Sequence, residues 1–128
     1  MRYLIMMLLV IMLALSDIVT GVIKAYVTDR PRSRKLRIGG AHKAAEITIM
    51  VTSIGLEIGI ERLGMYYDAQ NLGELVGAFA AISVFAVIAL MEVVSILENY
   101  AEINPDAAWV KVILKRIKTK EENSDERR

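Results

Sequence analysis

Acidic side chains interrupt otherwise apolar stretches of this 128-residue chain at Asp17, Glu46, Glu57, Glu61, Glu74 and Glu92. A carboxyl group in such a setting must hold a proton, pair with a cation or face water, and each option is a kind of chemistry. The partners that would turn these carboxyls into a catalytic set are missing from the sequence. The lone histidine, His42, stands beside Lys43 with no second histidine to share a metal, and reads as a solvated residue at the entrance to an apolar segment. With no cysteine there is no thiolate nucleophile, no disulfide framework and no thiolate metal site. No Ser-His-Asp set occurs, and Gly39-Gly40 lacks the following Lys and Ser/Thr of a phosphate-cradling loop. The expectation is a non-enzyme without metal or cofactor.

The elements that must position these acids follow from composition. Hydrophobic residues make up 55% of the chain and charged residues 24%, with a mean hydropathy of +0.41. The length suits one domain. The charges are segregated, since the first fifteen residues carry one, at Arg2. A net charge of +1 excludes a uniformly basic nucleic-acid binder. Apolar runs at about residues 4–23, 44–63 and 72–97 have the length needed to cross a hydrocarbon layer of roughly 30 Å. The reading is therefore an all-α membrane protein with three transmembrane helices and a single membrane domain over residues 1–120. Residues 24–43 are expected to be a non-helical basic connector, marked by Pro31 and Gly39-Gly40, and residues 62–71 a short polar one. A basic amphipathic helix is expected at about 106–118, and residues 121–128 as a charged disordered tail.

Lys24, Arg30, Arg32, Arg34, Lys35, Arg37 and Lys43 lie in the first connector, but only Arg62 in the second. The positive-inside bias puts the first connector and the basic C-terminus in the cytoplasm, so the chain runs N-out and C-in. A cleaved signal peptide is the competing reading of the N-terminus, but it would move both basic regions outside.

At about 100° per residue, Glu46, Ser53, Glu57 and Glu61 share one face of the second span, opposite Thr48, Thr52, Gly55 and Gly59. No Lys or Arg is expected at the depth of these acids in any span, which leaves two readings of Glu46, Ser53, Glu57 and Glu92. They bond between helices as protonated groups, or they face a water-filled hole; Glu61 is read as a surface residue near Arg62. In the third span Glu74, Gly77, Ala78, Ala81, Phe85 and Glu92 form one broad face, and Val84, Val87, Leu90 and Met91 suit lipid. Gly55/Gly59 and Gly73/Gly77 are G-x-x-x-G steps; with Ala81 they predict close helix packing and lateral self-association. In the C-terminal helix Trp109, Val110, Ile113 and Ile117 gather opposite Lys111, Lys115 and Lys118, the pattern of a helix lying on anionic headgroups.

Three stretches also resemble a known family. Ser16-Asp17-Ile18-Val19-Thr20-Gly21 resembles the Asp-x-x-Thr-Gly signature ending the first span of the toxin-secretion and phage-lysis holins. Arg32 to Gly40, followed by Lys43, is similar to that family's basic stretch. Glu92-Val93-Val94-Ser95-Ile96-Leu97-Glu98-Asn99 resembles its Glu-x-x-Ser-Ile-Leu-Glu-Asn motif, with Pro105 matching the proline beyond. The resemblance implies a phage or prophage holin in the bacterial cytoplasmic membrane, a multi-pass protein that forms homo-oligomers and opens lesions at a timed moment. The cargo is endolysin, released without direct binding, or in some clostridial relatives a large toxin. The glutamate-rich second span departs from the family, whose members are commonly more apolar there. Within the motif, Asp17 and Thr20 are expected to bond a neighbouring helix near the cytoplasmic interface, and Glu98 and Asn99 to fix the turn into the tail.

Three rivals remain. One is an antiholin that joins and delays such an assembly; starts at Met1, Met6 or Met7 would allow two products, the shorter without Arg2. The second is a small ion channel or proton-coupled carrier using Glu57 and Glu92. The third is an adaptor recruiting a partner through the basic loop.

Overall fold

A computed structural model describes residues 2–28 and 33–125, and every regular element among them is a helix. Helix α1 spans Arg2–Val27, α2 Ser33–Tyr66, α3 Gln70–Ile103 and α4 Ala108–Asp125. Helices α1, α2 and α3 form an up-down-up bundle in which α3 lies between α2 and α4 and touches α1 along its length. The expected positions of Arg30, Pro31 and Arg32 in the connector, and of Arg127 and Arg128 in the tail, lie outside the described residues.

The helices run further than the sequence pattern predicts. Gly39 and Gly40 sit inside α2 rather than in a loop, because two glycines cost only about 1 kcal/mol each against alanine and the flanking Arg37, Ile38 and Ala41 favour helix. The expected polar connector at 62–71 is also mostly helical and shrinks to a turn at 67–69. There the Ala69 N–H donates to the Gly64 carbonyl at 2.7 Å, and Asp68 takes a left-handed φ of 52°. This is the six-to-one bond of a Schellman end, with Asp at the position glycine usually fills. Helix α4 begins at Ala108, past Pro105 and Asp106, and continues to Asp125, into the stretch expected to be disordered.

Two helices, α1 and α3, are long and apolar enough to cross a membrane; α2, whose apolar stretch carries Glu46, Glu57 and Glu61, is not one of them. The total accessible surface is 9533 Å², against about 6,800 Å² for a soluble monomer of this mass. Much of the excess is large apolar side chains left uncovered, among them Leu4, Leu8, Met12, Leu15, Leu72, Leu75, Phe79, Ile82 and Val87. A continuous apolar exterior of this kind belongs against lipid or another protein.

The interior is narrow. Val10, Met50 and Ile88 meet at its centre, one from each of the three long helices, with Met6, Met7, Ile47, Ile54, Val84 and Phe85 around them. Val84 therefore faces the core, not lipid as its sequence position suggested. Helices α2 and α3 approach so closely at their shared end that a Cβ on Gly64 would stand 2.9 Å from the Gly73 Cα. A Cβ on Gly77 would stand 3.0 Å from the Glu57 carbonyl oxygen. The Gly73/Gly77 step is thus spent inside the chain, while Gly55 and Gly59 have nothing within 4 Å and do not pack against any described helix.

Candidate functional site: two polar clusters inside the bundle

The inward face of α2 follows a three-four repeat through Lys43, Glu46, Met50, Ser53, Glu57, Glu61 and Gly64. This spacing keeps one stripe turned toward neighbouring helices. Because α1 and α3 run parallel to each other and antiparallel to α2, the stripe meets polar residues of both at two levels, above and below the Val10–Met50–Ile88 layer. Eleven residues separate Glu46 from Glu57, which places the two levels about 16 Å apart along the helix.

At the level near the α2–α3 turn, the Arg2 guanidinium reaches Glu57 at 3.0 Å and also bonds Glu61. Glu57 is 2% exposed, whereas the Arg2 side chain is 58% exposed. The long arginine side chain delivers charge from the helix end to an acid within the bundle. Ser53, also buried, donates to the Met50 carbonyl at 2.9 Å and so satisfies itself on its own helix.

At the opposite level, Lys43 is the hub. Its Nζ lies 2.5 Å from Glu92 Oε2, 3.0 Å from Asp17 Oδ2 and 3.5 Å from a Glu46 oxygen, joining all three long helices. Glu92 is fully buried. One helical turn and more beyond, the Asn99 amide donates to Asp17 Oδ1 at 3.0 Å and to Thr20 Oγ1 at 3.3 Å. Lys24 donates to Asn99 Oδ1 at 3.2 Å and pairs with Glu102 at 2.7 Å. A Cβ on Gly21 would stand 3.6 Å from the Asn99 amide nitrogen, an ordinary contact. Asp17, Lys24, Glu92 and Asn99 lie seven apart in pairs on α1 and α3, so one heptad on each parallel helix carries the whole seam.

The expectation that no Lys or Arg stands level with the acids is corrected by this geometry. Arg2 and Lys43 are the cations; Arg2 comes from the first turn of α1, and Lys43 from inside α2, at a position the sequence pattern assigned to a connector. The signal was present for Lys43, which falls in register with Glu46 and Glu57 once α2 is started before it. Glu61 is likewise bonded to Arg2 and is not simply a surface group.

The other singled-out residues scatter. Glu74 faces outward, where Gln70 donates to it at 2.9 Å. Gly73, Gly77 and Ala81 are buried along α3 toward α2. Ser95 is half-buried on α3, and Glu98 pairs with Lys118 of α4 at 2.8 Å. On α4, Val110 is buried while Trp109 and Ile113 are exposed, and Trp109 lies 6.1 Å from the Tyr100 ring. Lys111 donates to the Pro105 carbonyl at 2.7 Å, and Lys115 is exposed.

Comparison with known proteins adds one decisive match. The profile of the bacteriophage holin family covers residues 1–119. The chain belongs to that family. No curated protein and no solved structure matches it. The holin family is pore-forming and non-enzymatic. No cluster of His, Cys, Asp or Glu among the described residues has the form of a metal site. In holin terms the family motif divides, since Asp17, Thr20, Gly21 and Asn99 meet at the α1–α3 contact, Glu92 bonds Lys43 of α2 and Glu98 turns to α4.

Proposed function

We propose that this chain is a phage or prophage holin that crosses the bacterial cytoplasmic membrane three times, N-out and C-in, self-associates, and opens lesions that pass endolysin or another protein cargo at a timed moment. Beyond family membership, one observation supports α2 as a membrane span. Every exposed position of α2 from residue 44 to 59 is uncharged, and the two acids in that stretch, Glu46 and Glu57, turn inward to Lys43 and Arg2. A helix whose charges are paired inside a bundle presents lipid with an apolar exterior whatever its average hydropathy.

The outward Gly55/Gly59 step, flanked by Thr48 and Thr52 whose hydroxyls bond back to their own helix at 2.8 and 2.9 Å, offers a close-approach face for a second copy. Exposed Trp109 and the lysines of α4 suit a helix lying on anionic headgroups. An antiholin role draws support from Arg2. A product begun at Met6 or Met7 lacks Arg2, leaving Glu57 buried without its cation, and would join the assembly with an altered α1.

The test is a turbidity time course after inducing the chain in bacteria that hold a cytoplasmic muralytic enzyme without an export signal. Abrupt lysis after a delay is expected. Depolarisation without lysis would indicate a small channel, and no effect an antiholin or adaptor.

A further inference from the structure

The Lys43 cluster does not balance. One ammonium faces three carboxyls, Asp17 from α1, Glu46 from α2 and Glu92 from α3. The next cation along the seam, Lys24, is committed to Asn99 and Glu102, and the neighbouring His42 is exposed. Glu98 on α3 turns to Lys118 of α4 and adds nothing here. Asp17 takes its hydrogen bonds from Lys43 and Asn99. What remains is the pair across the α2–α3 contact, where the Glu46 and Glu92 carboxyls share the Lys43 ammonium, at 3.5 and 2.5 Å. Glu46 Oε2, 3.5 Å from the Lys43 ammonium, and Glu92 Oε1 are both buried, and neither accepts a hydrogen bond. Two ionised carboxylates have only acceptors to offer each other, and their repulsion grows in a dry interior. A single proton placed between them turns that repulsion into a short, strong hydrogen bond and removes one excess charge.

We propose that Glu46 Oε2 and Glu92 Oε1 form a proton-binding site that clips α2 to α3. Its ligand is one shared proton. The Lys43 ammonium already stands between the two carboxyls, on Glu92 Oε2 and 3.5 Å from Glu46 Oε2, so the cation added to the pair is the smallest one. The proton makes the clip conditional. When it leaves, two carboxylates stand beside one lysine and Asp17, and the α2–α3 contact loosens at this end while the Gly64/Gly73 end stays closed. The inference rests on the membrane-spanning reading above, because lipid is what keeps water from the seam.

The full chain reconstituted in lipid vesicles provides the test, read by the infrared carbonyl stretch of protonated carboxyl groups. Wild type is expected to show this band at neutral pH and to lose it on alkalinisation. Glu46→Gln and Glu92→Gln should each lack it, since a Gln amide supplies the missing donor and the remaining carboxylate ionises. Glu57→Gln should keep it, because Glu57 is paired with Arg2. Helical content by circular dichroism shows which variants fold, and each of the two removes half of the pair, so either one suffices. Absence of the band from neutral wild type, or its survival in a folded Glu46→Gln or Glu92→Gln variant, would overturn the site. Dye release from the same vesicles should rise with pH in wild type and stay flat in both Gln variants. A titrating band with pH-independent release would overturn the clip. The band is read without any lesion, so failure of lysis in cells and failure of the proton site are separate results.

Discussion

At the scale of single residues, burial decides which ion pairs matter. Lys43 joins three helices through a fully buried Glu92, whereas Lys24 pairs with Glu102, which is 56% exposed. Breaking a buried pair by removing one partner costs about 3–5 kcal/mol, but an exposed pair contributes about 0–1 kcal/mol. Lys43→Met is therefore expected to lower the melting temperature of the detergent-solubilised chain strongly, and Lys24→Met only slightly; equal shifts would mean that the seam is open to water. These cations were hard to read from sequence for a physical reason. A long side chain carries its charge several ångströms from its own backbone, so Arg2 reaches Glu57 from the first turn of α1. The acids were legible because their helical spacing alone placed them on one face.

Among the elements, the α2–α3 hairpin brings backbone against backbone, through glycines on both helices. Adding a methyl group at Gly64 forces the helices apart, and overpacking of this kind costs about 1–3 kcal/mol. Gly64→Ala should thus destabilise the chain in thermal unfolding, while Gly55→Ala, which points into open space, should leave monomer stability unchanged or slightly higher and act instead on lysis timing. No change in timing would remove Gly55 from contacts between copies. The left-handed Asp68 ends α2, and a non-glycine residue in that conformation costs about 1–2 kcal/mol, less for Asp. Asp68→Gly is expected to raise stability by up to about 1 kcal/mol, and a drop would show that the Asp68 side chain contributes to the turn. The sequence separated the two G-x-x-x-G steps from neither each other nor their roles, since spacing reports that a helix can be approached closely but not by what. The helix ends were misjudged for a related reason: glycines and polar residues weaken a helix locally, and neighbouring turns override them.

For the whole molecule, the α-helical class and the family were legible in composition and in the motifs around Asp17 and Glu92. The pairing of the polar faces was not, because it depends on the parallel register of α1 and α3, which no local pattern encodes. That register turns a helix with an unfavourable charge count into one with an apolar exterior. The central claim, that α2 crosses the membrane with its charges paired inside the bundle, is open to a direct measurement. The chain has no cysteine, so single cysteines at Asp68, at the α2–α3 turn, and at Ala41, near the start of α2, can be labelled in whole cells with a membrane-impermeant maleimide. The account predicts that the position 68 cysteine is labelled from outside and the position 41 cysteine only after the membrane is permeabilised. Labelling of both positions from the same side would contradict it.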